Sequence, residues 1–537
     1  VTGIVPAPAA LTFLEHVAPY RLAPPTRIVA PGEAHPIGLL LATELRVATG
    51  FDIPVVHGDA GAADISLVLN DGFYAVEQTS VESYTLEVSH AGVIIEARAT
   101  AGLYRGTRSL RQLLPARIGD DDHGRAFGDD DDHGGASGDD DGLAFGGWVA
   151  PAVSVSDAPR FDYRGAMLDV VRHFFPVEDV LRFIDALALL KINVLHLHLT
   201  DDQGWRIQID SWPELTGIGA STAVGGARGG FYSKSDYRRI VDYAAERFLT
   251  IVPEIDLPGH TNAALSAYAE LNHDGVARSP YEGVEVGFSS LSAAPERAEA
   301  TDQFLEDVLR EVAELTPGPW LHIGGDESLS TSKADYRALV ERITTTAASM
   351  GKTVIGWHEI GASPSLPADT IAQYWSYLEP QGDAASLTRS VVEQGGQVIM
   401  SPADVAYLDI QHVGSQPTPH GYPLGLDWAN GPTSLDDALA WEPTEIVPGI
   451  AEAQILGVEA PLWTETACTI SDVEFLAFPR IAAIAEIGWS PLPGAEGRDR
   501  DGFVARLSGL GAHWDAAGTV YCAVDGVPWH TDLAATT

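Results

Sequence analysis

Trp320-Leu-His-Ile-Gly-Gly-Asp-Glu-Ser328 reads as an apolar strand that runs into two glycines and then two adjacent carboxylates, Asp326 and Glu327. Glycine lets a backbone approach other groups closely, and neighbouring carboxylates repel when both ionise. Repulsion is expected to raise the pKa of one of the pair, which suits proton transfer near neutral pH. Folding gains nothing obvious from two like charges at a strand end, although Asp-Glu pairs also occur at helix starts. The same design recurs along the chain. Strand-like runs at 163–170, 194–199, 250–255, 320–323, 353–357, 371–375, 398–401 and 455–462 alternate with amphipathic stretches at 177–190, 235–247, 301–315, 333–349 and 472–487. Eight such strands predict an α/β fold, a (β/α)8 TIM barrel. Asp201-Asp202, Glu254 with Asp256 and His260, Asp326-Glu327, Trp357, Trp375, Tyr407 with Asp409, and Trp463 with Glu465 all fall at or just past strand ends. That is the face on which barrel enzymes assemble their sites.

The remaining chain divides in two. Residues 1–118 mix short β-rich runs (64–69, 84–89 and 92–97) with a helical pattern from Thr100 to Leu114, the reading of a small N-terminal α+β domain. Residues 119–147 repeat Gly-Asp-Asp-Asp-His-Gly-like units and are expected to be an acidic Gly/Asp-rich insertion or linker. Calcium binds such ligands, but the spacing lacks the EF-hand pattern, so a solvated loop is preferred over a cation site. The barrel domain is expected over 158–537.

The 537 residues carry 75 acidic and 32 basic side chains, a formal charge of −43. Nucleic acid and anionic membrane both demand a basic surface and are excluded as partners. No apolar run has the length of a membrane span. The first residues, Val1-Thr-Gly-Ile-Val-Pro-Ala-Pro8, carry neither a basic nor an apolar signal region. The expected localisation is secreted, with the cytoplasm left open. The two cysteines, Cys468 and Cys522, are open to pairing or to burial as small hydrophobes, the latter being preferred.

Carboxylates facing large aromatics suit a sugar, whose hydroxyls take hydrogen bonds while its C–H faces pack on indole rings. Glycosidases with two carboxylates usually draw them from different strands. Adjacent carboxylates fit better where the substrate supplies its own nucleophile.

His322-Ile-Gly-Gly-Asp-Glu327 resembles the motif of the β-N-acetylhexosaminidases of glycoside hydrolase family 20. So do Leu168-Asp-Val-Val-Arg-His-Phe174, His196-Leu-His-Leu-Thr-Asp-Asp-Gln-Gly-Trp-Arg206, Pro253-Glu-Ile-Asp-Leu-Pro-Gly-His260, Gly356-Trp-His358, Gln373-Tyr-Trp375, Tyr407-Leu-Asp409 and Ala460-Pro-Leu-Trp-Thr-Glu465. The resemblance spans about 160–490, and the first 118 residues resemble the family's small N-terminal domain. It implies a retaining exo-β-N-acetylhexosaminidase that releases terminal GlcNAc or GalNAc by substrate-assisted catalysis. It implies Glu327 as acid and then base, Asp326 as orienter of the 2-acetamido group, and Tyr407 as donor to its carbonyl. Trp357, Trp375 and Trp463 would wall the acetamido pocket, Arg172 and Glu465 would bind sugar hydroxyls, and Asp409 and Trp428 would contribute to the pocket. Asp201 and His260 would tune Glu327. It calls for no cofactor and no metal, a small carbohydrate as partner, and leaves the oligomeric state open. The stretch 413–422 departs from the family pattern and bears on leaving-group preference. Three alternatives are release of a disaccharide such as lacto-N-biose, a catalytically silent sugar-binding protein, against which the complete set of acid, orienter and acetamido-pocket residues speaks, and a metal-dependent barrel amidohydrolase built on His196 and His198, for which hydrogen bonding in the barrel core is the preferred reading.

Overall fold

The computed structural model describes residues 3–73, 80–116, 147–414, 416–491 and 497–529. The acidic insertion expected over 119–147 lies outside them, apart from Gly147. The chain forms two compact units, one of Val1–Pro159 with Asp501–Gly518 and the segment from Val527, the other of Arg160–Arg500 with Thr519–Gly526.

The first unit holds a seven-stranded mixed sheet in the order Ala10–Phe13, Val153–Asp157, Tyr84–Ser89, Gly92–Ala97, Ile65–Leu69, Ile28–Val29, Val55–Val56. The first four pair antiparallel and the rest parallel. The three expected β-runs and the helix Thr100–Leu113 are all present. Two boundaries differ from expectation. Val153–Asp157 pairs into the centre of this sheet, so the unit runs past residue 118 to Pro159. Asp501–Gly518 also groups with it, so the barrel unit does not take in the whole stretch 158–537.

The second unit is a closed barrel of eight parallel strands: β1 (Tyr163–Asp169), β2 (Val194–His198), β3 (Thr250–Glu254), β4 (Trp320–His322), β5 (Thr353–Trp357), β6 (Ile371–Tyr374), β7 (Gln397–Met400) and β8 (Ile455–Leu462). Closure runs from Tyr163 paired with Gly457 to Leu168 paired with Leu462. Every residue of β1 and β2 is buried, as expected of parallel strands covered on both faces. Inside the barrel, Tyr163, Val194, Val252, Ile355, Ile371 and Ile399 form one apolar cluster, with Trp320 packed against it. Outer helices obey the helical period. In Lys234–Glu246 the buried positions are Tyr237, Ile240, Val241 and Ala244, and Ser233 with Asp236 forms a reciprocal cap at its start.

The amphipathic stretch at 472–487 is not one helix. It is divided into Ile470–Ala477 and Arg480–Trp489 at Pro479, whose missing N–H and fixed ring end the first segment. The β7–β8 connection carries only short helices, Ala403–Ala406, Leu435–Leu439 and Pro443–Ile446. No helix among the described residues is long and apolar enough to cross a membrane. Both cysteines are free; Cys522 is buried, but Cys468 is exposed, its sulfur 3.4 Å from His173 Nε2.

Candidate active site

β4 stops after three residues because the backbone turns at Gly324 and Gly325, both at positive φ (+68° and +109°). Tyr336 Oη donates to the Gly325 carbonyl at 2.6 Å, and Trp357 N donates to the Gly324 carbonyl at 2.8 Å. Glu327 itself lies at φ +41°, a conformation costly for a side-chain-bearing residue and most often retained at functional positions. The turn separates the two carboxylates: Asp326 is buried, whereas the Glu327 side chain remains 33% exposed. A Cβ on Gly324 would sit 1.7 Å from Asp256 Oδ1. Gly324→Ala is therefore expected to destabilise the fold by about 2–4 kcal/mol and to displace Asp326. An unchanged urea midpoint with unchanged kcat would contradict this.

Asp326 and Glu327 share one cleft of about 620 Å³ with Arg172, His260, Trp357, Trp375, Tyr407, Asp409, Trp428, Trp463 and Glu465. The cleft thus gathers every expected site residue except Asp201, which lies behind His260. Its aromatic wall is a box: Trp357 and Trp463 rings lie 5.9 Å apart, Trp375 and Trp428 6.3 Å, and Tyr407 and Trp428 5.8 Å in an edge-on arrangement. Trp463 also lies under the Arg172 guanidinium, 4.8 Å from the ring centre. Arg172 is held by Asp169 at 3.3 Å and Asp201 at 2.9 Å, and Glu465 and Asp409 each keep a buried oxygen without a protein partner. Unpartnered buried acceptors beside a guanidinium are suited to receive ligand hydroxyls.

Below the cleft a network extends from the expected Asp201 and His260 to His198, Glu254, His196 and Glu459, which were not among the expected site residues. His260 Nε2 is 3.6 Å from both Asp326 Oδ2 and Glu327 Oε2, and its Nδ1 bonds Asp201 Oδ1 at 3.0 Å. Asp201 Oδ2 bonds His198 Nε2 at 2.8 Å, and His198 Nδ1 bonds Glu254. Glu254 also receives the Trp357 indole N–H at 2.9 Å and lies 3.1 Å from His196 Nε2, whose Nδ1 bonds Glu459 at 2.9 Å. Burial alone would lower His196, but Glu459 and Glu254 carry it up to about 9. Burial likewise opposes charge on His260, yet Asp201, Asp256 and Asp326 hold it well above its ordinary value. Burial would raise Asp201 and Glu254; Arg172 and His260 hold the first well below the usual range, and His198, His322 and His196 the second. The result is an alternation of imidazolium and carboxylate that ends beneath the Asp326–Glu327 pair. Its sequence trace is His196 and His198 at i and i+2 on one strand opposite Glu254 on the next, a pattern also shown by ordinary core residues.

Asp326 is the carboxyl pushed up, to about 7, by burial first and then by Glu359 and Glu327, with His260 opposing. Among the described residues, ligand atoms of His196–Glu254–His322, His198–Glu254–Asp256, Asp201–Asp256–His260 and His260–Asp326–Glu327 come within 4.8 Å of one another. Carboxylates already engage both nitrogens of His196 and of His198, which fits hydrogen bonding in the core better than metal ligation.

Residues 161–492 match the family described as glycosyl hydrolase family 20, catalytic domain, and residues 1–158 match its domain 2. The chain is 37% identical over 530 residues to a beta-N-acetylhexosaminidase of Cellulomonas fimi, covering 98% of this chain and 97% of that one. The structure of Streptomyces plicatus N-acetyl-beta-hexosaminidase in complex with Thio-NAglucal is similar at a TM-score of 0.85 and 43% identity, covering 98% of this chain and 97% of that one. An exo beta-N-acetylglucosaminidase of Vibrio harveyi in complex with N-acetylglucosamine is similar at 0.75 and 28%, covering 96% and 78%.

Proposed function

Because the chain belongs to glycosyl hydrolase family 20, we infer that it is a retaining exo-β-N-acetylhexosaminidase that releases terminal β-linked N-acetylhexosamine by substrate-assisted catalysis. The observation that carries this is the split within one turn: Asp326 buried beside the aromatic box, Glu327 partly exposed at the mouth, and one charged imidazole facing both. The box admits the 2-acetamido group, whose carbonyl oxygen attacks the anomeric carbon as the glycosidic bond breaks. Glu327 gives its proton to the departing oxygen. Asp326 accepts the acetamido N–H and offsets the positive charge of the oxazolinium ring, while Tyr407 donates to the oxygen that attacks. Glu327, now a carboxylate, takes a proton from water as that water opens the ring, and the β configuration is retained. Arg172, Glu465 and Asp409 take the sugar hydroxyls, with Trp463 against the ring face.

The test is hydrolysis of 4-nitrophenyl N-acetyl-β-D-glucosaminide beside the matching β-D-glucoside. Cleavage of the acetamido sugar alone, blocked by a thiazoline that mimics the bicyclic intermediate, is the expected result. Equal cleavage of both would mean a nucleophile supplied by the protein and would overturn the reading.

A further inference from the structure

Trp357 and Trp375 end adjacent strands, and each gives its indole N–H to a carboxylate. Trp357 uses Glu254, within the buried network. Trp375 uses Glu359, both of whose oxygens lie 3.0 Å from its Nε1. Glu359 belongs to the short turn His358–Ala362 that follows β5, two residues beyond Trp357. The end of one strand therefore clasps the wall residue of the next. Around Trp375 the other ring contacts are His358, tilted at 5.6 Å, and Trp428, edge-on at 6.3 Å, and its body packs against the cluster of Ala403, Tyr407, Ile410 and Ala429. Trp428 is itself 42% exposed, so on that side packing alone leaves rotation of the indole about its side-chain bonds less restricted. An N–H shared between two oxygens fixes that rotation.

We propose that Glu359 is a positioning residue that holds Trp375 square to the pocket and thereby sets the size of N-acyl group the enzyme accepts. This rests on the reading that the box receives the 2-acetamido group. Charge is secondary to geometry in this clasp. Burial pushes Glu359 up to about 7, with the Trp375 N–H opposing, Glu327 raising it further and His260 lowering it. Asp326, Tyr336 and Tyr407 also feel its charge, and His358 lies 3.6 Å from it on its own turn. A neutral carboxyl still has an oxygen to accept the indole proton, and so does an amide.

The experiment compares 4-nitrophenyl β-glucosaminides carrying N-acetyl or N-propionyl groups, on the wild type, Glu359→Gln, Glu359→Ala and Trp375→Phe. One extra methylene in a fitted apolar pocket changes kcat/KM by about tenfold or more. The wild type and Glu359→Gln are expected to keep that preference for acetyl within about twofold of each other. Glu359→Ala and Trp375→Phe, which lack acceptor and donor respectively, are expected to lose most of it, through a higher KM for the acetyl substrate. The double variant should lose no more than either single one, because both remove the same contact. Retained preference in Trp375→Phe, or equal loss in Gln and Ala at position 359, would overturn the clasp. Should Glu359→Ala fail to fold, Glu359→Gln, which keeps an acceptor for the indole N–H, carries the test: a KM and an acyl preference within about twofold of the wild type are expected, and a lost preference would overturn the clasp. A wild type that cleaves the plain glucoside as well as the acetamido sugar would instead overturn the functional reading itself.

Discussion

Glu327→Gln is expected to lower kcat/KM for a chitooligosaccharide by about 10³, within the range of general acid catalysis. An alkoxide is a poor leaving group, so a sugar cannot depart at a useful rate without the proton that Gln lacks. A 2,4-dinitrophenolate leaves unaided, and kcat/KM reports only the steps through its departure. For that substrate the same variant is expected to lose no more than about tenfold. Initial rates on the two substrates decide the matter. Equal losses would mean that Glu327 positions the substrate instead of protonating it, and the mouth of the cleft would need another acid. The partial exposure of Glu327 fits a group that must meet leaving groups of varied size and then admit water.

Asp326→Asn is expected to reduce kcat by about 10²–10³ for all leaving groups, since the charge that Asp326 offsets forms on the substrate whatever departs. The same change should also stabilise the fold. Folding carries the Asp326 carboxyl from its ordinary range up to about 7, so the folded state binds more protons than the unfolded one between about pH 4 and 7. Stability conferred on the neutral form is present at low pH and is lost as pH rises through 7. Asparagine removes that loss. The variant is expected to melt above the wild type at pH 8, by on the order of 1–3 kcal/mol, with the gap closing towards pH 4. Thermal melts at both pH values check this. A variant that is less stable at pH 8 would mean that Asp326 is ionised and well paired in the resting enzyme. A residue kept at a cost to stability is what a site built for a transient cation requires.

The barrel was legible because each strand carries two signals at once, a buried β-rich run and a chemically loaded end. β5 and β8 were bounded correctly, and the others to within about a residue. Trp357, Trp375 and Trp463 were legible for the same reason, reinforced by the family resemblance, whereas Trp428, within the β7–β8 connection, came from the resemblance alone. The division at Pro479 was missed because apolar periodicity continues across it and only one backbone donor is lost. Val153–Asp157 was unassigned because its partners lie at least 65 and 140 residues away, and local pattern says nothing of such pairing. Glu359 escaped notice because its role depends on the next strand, not on its own neighbours. His196 and His198 were read as bonding within the barrel core, as they do; their link through Glu254 and Asp201 to His260 emerges only when three strand ends meet.

The two units exchange segments near the end of the described chain: Asp501–Gly518 belongs with the first, and Thr519–Gly526 returns to the second. Growing polypeptides commonly fold domain by domain from the N terminus as they leave the ribosome. Here the N-terminal unit emerges first yet lacks a helix until the second unit has been synthesised through Arg500, and that unit still awaits the eight residues Thr519–Gly526 after the helix. Any attempt to express the halves separately by cutting between Pro159 and Arg160 leaves one piece short and gives the other an orphaned helix.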